Sequence, residues 1–222
     1  PERQQLFWFD ILGNKLLSRS GDEPLEWQFK EHVSAAGWID QDTLLVASET
    51  ALMTFDIPTG RSNPLIDLEA DNPITRSNDG RADPKGGFWI GTMGKNAETG
   101  AGSIYRFYKG ALELLFQDIT ITNAICFSPD GSTAYFTDTR TGVILQQALD
   151  AEGWPVGPAT TFVDLTSEAF TQTAPSWIAK VAFGTPNGGQ DGLQNIAPKG
   201  KLQRPVELPA KQRSGPGFGG PT

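Results

Sequence analysis

The chain contains one cysteine and one histidine in 222 residues. A lone Cys126 cannot close an internal disulfide, so the fold does not depend on an oxidising compartment. It reads as a small buried core residue rather than a reactive thiol. His32 belongs to no motif and reads as a surface or strand residue, not as a ligand. Basic runs are missing too. A net charge of −8 without a Lys/Arg cluster argues against nucleic acid and against an anionic membrane as partners. No apolar run approaches the ~20 residues of a transmembrane helix. No secretory signal is visible in a chain that opens on Pro1-Glu2-Arg3 without an initiating Met, and the expected location is cytoplasmic.

Helical periodicity is scarce as well. The chain carries 25 Gly and 16 Pro, and short β-type runs bounded by Gly, Pro, Asp and Asn recur along it. Four are plain: Gln5–Asp10, Thr43–Ala47, Gly87–Gly91 and Thr133–Thr137. With Phe7, Leu45, Trp89 and Tyr135 as markers, the spacings are 38, 44 and 46 residues. A second run follows within three of the units: Ala51–Asp56, Gly102–Phe107 and Val143–Gln147. A repeat of that length with several strands per unit is the signature of a β-propeller rather than a sandwich. Two turns have their own chemistry. Asp83-Pro84-Lys85-Gly86 and Ser128-Pro129-Asp130-Gly131 place Pro where φ is preset and Gly where a positive φ is expected.

Two segments are more than strand pattern. Arg76-Ser77-Asn78-Asp79-Gly80-Arg81-Ala82-Asp83-Pro84 leads into Phe88-Trp89-Ile90-Gly91-Thr92-Met93-Gly94. Ile119-Thr120-Ile121-Thr122-Asn123-Ala124-Ile125-Cys126-Phe127-Ser128-Pro129-Asp130-Gly131 leads into Tyr135-Phe136-Thr137-Asp138-Thr139. Both resemble the senescence marker protein/gluconolactonase/regucalcin (luciferin-regenerating enzyme-like) family, especially its bacterial sugar lactonases. The resemblance runs through Pro1–Leu165 and resumes near Pro205–Pro221.

The resemblance implies an all-β, six-bladed β-propeller, incomplete in this chain, forming a single partial domain over residues 1–222. It also implies hydrolysis of a small-molecule sugar lactone, of gluconolactonase or arabinolactonase type, to the aldonic acid. The implied cofactor is a divalent metal cation (Ca, Zn, Mn or Mg) held by a Glu, an Asn and an Asp. Asn123 matches the metal-ligand Asn; Arg76 and Asn78 match the substrate contacts. The chemistry is consistent: a hard cation accepts a neutral amide oxygen beside carboxylates, and an Arg hydrogen-bonds ring substituents or a carboxylate. On their own surroundings Asn78 reads as a turn residue ahead of Asp79-Gly80, Asn123 as a buried amide and Arg76 as a loop charge. Asp118 and Asp138 read as structural, at strand ends. Asn96, after Gly94-Lys95, stands where some members of the family carry an acidic substrate contact.

Two of the implied metal ligands are missing. The Glu of the family lies just upstream of the point that matches Pro1. The Asp lies in a Pro-Asp-Gly segment soon after Leu165, where this chain reads Ser167–Pro175 without an Asp. Residues 169–203 are expected to be a frameshifted blade. Trp177 is always encoded TGG and the Ile178 codon begins AT, so the shifted codon is GAT, an Asp. Read that way, Thr171–Gly200 regains the fifth-blade pattern, and the lost Asp falls at Thr173. The alternatives are an inactive fragment lacking two metal ligands, or a calcium-binding regulatory propeller of the regucalcin type.

Overall fold

The computed structural model describes residues 3, 5–164 and 166. The frameshift expected over 169–203, Thr173 within it, and the resumed match near Pro205–Pro221 all lie outside the described residues. Among the described residues fifteen strands form four antiparallel sheets, each a meander in which successive strands pair. The first holds β1 (Phe7–Asp10), β2 (Lys15–Ser20) and β3 (Glu23–Gln28). The second holds β4 (Val33–Trp38), β5 (Thr43–Ser48), β6 (Ala51–Asp56) and β7 (Arg61–Asp67). The third holds β8 (Thr75–Ala82), β9 (Phe88–Gly94), β10 (Gly102–Tyr108) and β11 (Ala111–Ile119). The fourth holds β12 (Thr122–Phe127), β13 (Thr133–Asp138), β14 (Val143–Ala148) and β15 (Thr160–Asp164).

Strand β4 packs on β8, and β8 packs on β12. The first strands of successive four-stranded sheets therefore stand side by side, and the remaining strands of each sheet lead away from them. That is the arrangement of propeller blades around an axis. The described residues build four blades of an incomplete all-β propeller. In the three-stranded first blade, β1 holds the marker position that β5, β9 and β13 hold in the others.

The core lies between blades, which explains the sequence pattern of the second strands. Along β5, Leu44 and Val46 pack toward the first blade with Leu16, Phe9 and Phe55. Leu45 and Ala47, on the opposite face, pack toward the third with Leu52, Phe88 and Ile90. A strand covered on both faces reads as a continuous apolar run rather than an alternation. Between the third and fourth blades, Trp89, Ile104, Ile125 and Phe136 close a third layer. Each such side chain taken fully from water contributes roughly 1.5–3 kcal/mol.

The two turns form as their chemistry requires. Gly86 (φ 85) and Gly131 (φ 70) take positive φ, and their N–H groups donate to Asp83 O and Ser128 O at 3.2 and 2.9 Å. The surroundings of Asn78 and Arg76, read above as turn and loop, prove to be strand. The Arg76–Ala82 and Thr122–Phe127 motifs are themselves the innermost strands β8 and β12. Their small and polar residues suit a position where neighbouring blades approach closely. A Cβ on Gly80 would meet Ile90 Cδ1 at 2.8 Å, Trp89 O at 2.9 Å and Ala35 Cβ at 3.0 Å. The Asn78-Asp79-Gly80 sequence is thus a bulge with a close backbone approach, not a hairpin turn.

Candidate functional site

Strands β8 and β12 both break register at the residues singled out by motif. The β8–β9 ladder is interrupted between Ser77 and Gly80, and the β12–β13 ladder between Asn123 and Cys126. A bulge releases residues from the ladder and re-aims their side chains. In β8 the released pair is Asn78 and Asp79. In β12 it is Ala124 and Ile125, with Ala124 in the left-handed region at φ 60, a conformation that costs a non-glycine residue about 1–2 kcal/mol.

The bulges bring Arg76, Asn78 and Asn123 together. Arg76 Nη1 donates to Asn78 Oδ1 at 3.0 Å and to Ser77 O at 2.8 Å. Asn78 Nδ2 donates to Thr122 O at 2.7 Å and reaches Asn123 Oδ1 at 3.4 Å. Asn123 Nδ2 donates to Thr139 Oγ1 at 2.8 Å. Since Thr139 takes the amide nitrogen, the carbonyl oxygen of Asn123 is turned toward Asn78. The three side chains form one hydrogen-bonded row, each partly buried. Burial pulls the Arg76 guanidinium below its ordinary value, with Glu49 opposing that shift.

The rim is built from neighbouring loops. Lys95 Nζ pairs with Glu49 Oε1 at 2.5 Å and donates to Pro73 O at 2.7 Å, tying the second blade to the loop that enters β8. Asn96 is turned back on its own loop, its Nδ2 donating to Glu98 Oε1 at 3.0 Å. Asp138 accepts from the backbone N–H groups of Thr120, Ile121 and Arg140 at 2.8–3.0 Å, a use that engages both carboxylate oxygens in holding the approach to β12. Asp118 sits at φ 61, which Asp tolerates better than most residues. His32 lies away from this row, its Nδ1 2.5 Å from Asn14 Oδ1.

Sequence reasoning missed Asp79 and Thr139. Asp79 Oδ2 accepts the Ile125 N–H at 2.8 Å; burial raises its carboxyl above the ordinary value, and that N–H and Arg81 pull it back. As to a metal, Asn123 Oδ1 is a suitable neutral oxygen ligand with its amide already oriented. Among the described residues no group of three or more His, Cys, Asp or Glu gathers around any point. Asn123 therefore fits as one member of a cation shell, and the described residues do not complete that shell.

Comparison with known proteins places this geometry in a family. The SMP-30/Gluconolactonase/LRE-like region matches residues 1–222. The chain belongs to that family, whose members include enzymes named as lactonases. It is 35% identical over 227 residues to a Rhizobium meliloti (strain 1021) protein named for sugar lactone lactonase activity, covering 99% of this chain and 76% of that protein. It is 36% identical over 141 residues to the L-arabinolactonase of Azospirillum brasilense, covering 60% of this chain and 47% of that protein. Among solved structures, the calcium-binding protein regucalcin of Agrobacterium tumefaciens str. C58 is 43% identical with a TM-score of 0.72, over 74% of this chain and 57% of that one. This chain thus spans part of the length of each of these relatives. No helix among the described residues is long and apolar enough to cross a membrane.

Proposed function

We propose that this chain carries the substrate-facing part of a metal-dependent sugar lactonase. The observation that carries this reading is the Arg76–Asn78–Asn123 row, three polar side chains held by their own hydrogen bonds on adjacent inner strands. Names of relatives support the substrate class: the similar Azospirillum brasilense protein is an L-arabinolactonase. In the reaction, water oxygen adds to the lactone carbonyl carbon, the ring C–O bond breaks, and the ring oxygen leaves with a proton as the hydroxyl of the aldonic acid. A bound divalent cation would polarise the carbonyl and acidify a coordinated water. Asn123 Oδ1 would be one of its ligands.

The remaining work falls to this chain's side chains. Arg76 spends Nη1 on Asn78 and Ser77, so its other guanidinium N–H groups are the ones that bind ring hydroxyls or a carboxylate. Asn78 fixes the orientation of Arg76 and borders Asn123. Likeness to the Agrobacterium tumefaciens regucalcin, a calcium-binding protein, favours a second reading: calcium binding without turnover.

The test is hydrolysis of L-arabinono- and D-gluconolactone by the chain, followed as acid release with each of Ca, Zn, Mn and Mg and with chelator. Turnover that disappears with chelator is expected. Turnover indifferent to chelator overturns the metal-dependent mechanism. Calcium binding without turnover favours the second reading, and cation affinity of ~1 mM or weaker favours an inactive fragment.

A further inference from the structure

The bulges that aim the site residues are also connected to one another across the blades. In β4 the ladder breaks between Val33 and Ala35, and the released Ser34 donates through Oγ to Ser77 Oγ at 2.8 Å. In β8 the released Asn78 and Asp79 reach β12: Asn78 Nδ2 donates to Thr122 O at 2.7 Å, and Asp79 Oδ2 accepts the Ile125 N–H at 2.8 Å. These contacts cross from one blade to the next. The bulge side chains end on the inner strand of the next blade, Ser34 at Ser77 and Asn78 at Thr122, and the Asp79 carboxylate reaches the next bulge itself at Ile125.

Ile125 shows why this matters. It lies in the part of β12 that is out of register with β13, so its N–H has no ladder partner, and its side chain is buried in the core between blades. A buried N–H without an acceptor is strongly unfavourable. The Asp79 carboxylate supplies the acceptor. Just before Ile125, Ala124 holds the left-handed turn of the chain that follows Asn123. Without the bond at Ile125 this strained residue loses its restraint, and the cheapest relaxation is a return toward regular strand geometry. That relaxation rotates Asn123, because a one-residue change of register in a strand exchanges its faces.

We infer that Asp79 is a positioning residue: its carboxylate, bonded to the Ile125 N–H of the neighbouring blade, holds the β12 bulge that directs Asn123 toward Asn78. The role of Asn123 in catalysis rests on the lactonase reading above, whereas the link from Asp79 to the orientation of Asn123 stands on the geometry alone. The two are tested separately.

The experiment compares Asp79→Ala and Asp79→Asn in the full chain by amide hydrogen exchange and by the side-chain NH₂ resonances of Asn78 and Asn123. In Asp79→Ala the Ile125 amide should exchange faster by about tenfold or more, and the Asn123 resonances should move. The Trp89 amide, in the neighbouring core strand, should keep its protection. Asp79→Asn retains an acceptor oxygen and should recover both the Ile125 protection and the Asn123 resonances. Where the chain turns over a lactone, kcat/KM should fall by on the order of 10–100-fold in Asp79→Ala and recover in Asp79→Asn. If Asp79→Ala does not fold, Asp79→Ser removes the long reach to Ile125 and takes its place. Unchanged Asn123 resonances with a freely exchanging Ile125 amide overturn the inference, as does an unchanged Ile125 amide. Absence of turnover in the wild type bears on the lactonase reading alone, because exchange and resonances still judge the link.

Discussion

Arg106 Nε donates to Asp83 Oδ2 across 2.8 Å with both side chains fully buried. The pair lies within the third blade, and Arg106 ties it to the fourth. Arg106 Nη2 donates to Glu152 O in the fourth blade at 2.9 Å, and the guanidinium carbon lies 4.3 Å from the ring centroids of both Tyr108 and Trp154. Asp83 also accepts the N–H groups of Lys85 and Gly87, so one carboxylate holds both the turn before β9 and the arginine. Removing Arg106 leaves that carboxylate buried without its cation. Arg106→Ala should lower unfolding free energy by about 3–5 kcal/mol, read as a shift of the urea midpoint. The double change Arg106→Met with Asp83→Asn should cost clearly less, because no unpaired charge remains; equal losses would mean that packing, and not the ion pair, sets the effect.

Arg76 offers a test of substrate binding that is separable from folding. Its guanidinium is partly buried and bonded to Asn78 and Ser77, so a loss here acts locally. Arg76→Ala should raise KM for a sugar lactone by roughly 10–100-fold, the scale of a charge-assisted hydrogen bond, with the thermal midpoint nearly unchanged. Arg76→Lys should recover little, because an ammonium cannot reproduce the planar fork. An unaltered KM in both variants would remove Arg76 from the substrate contacts.

The strands that sequence alone made plain are those buried between blades. β1, β5, β6, β9, β10, β13 and β14 carry runs such as Thr43–Ser48 and Phe88–Gly94 whose apolar residues face a core. The innermost strands were hidden for a physical reason. Residues such as Ser34, Ser77, Asn78 and Gly80 are small or polar because neighbouring blades crowd them, and that composition reads as loop. The outer strands β3, β7 and β11 have mostly exposed residues and little pattern to find. Asn78 and Asn123 were reachable from motif, and the structure sets them side by side. Asp79 was not, because Asn-Asp-Gly looks like a turn while its partner, Ile125, lies 46 residues away.

The turn between β12 and β13 gives a pH signature. Asp130 accepts from Ser128 Oγ at 2.6 Å and from the Ser132 N–H at 3.0 Å; these bonds hold its carboxyl at about 2, below the ordinary 3.8. A depressed folded-state value means that the carboxylate stabilises the turn fully above the ordinary value. That stabilisation fades as pH falls from there through about 2. The Ser132 amide resonance should titrate with that low midpoint, and Asp130→Asn should abolish the titration. A midpoint near the ordinary value would mean that the serine bonds do not persist in solution.

Cys126 makes the last prediction. It closes the β12 bulge, paired with Tyr135 of β13, and is half-buried there. Burial pushes the thiol from 9.0 up to about 12, with Arg81 opposing and Asp79 adding to the rise. The nucleophile in alkylation is the thiolate, and a rise of that size reduces its fraction roughly a thousandfold at mildly alkaline pH. Iodoacetamide at about pH 8 should therefore label native chain at least about a hundredfold more slowly than urea-unfolded chain, whose cysteine titrates normally. Asp79→Ala, by loosening the bulge, should narrow that gap, while Arg106→Ala, which removes no bond to the β12 bulge, should leave it in place so long as the chain is folded. Native labelling within about tenfold of the unfolded rate would mean that the thiol is open to solvent and that the β12 bulge is not packed as described.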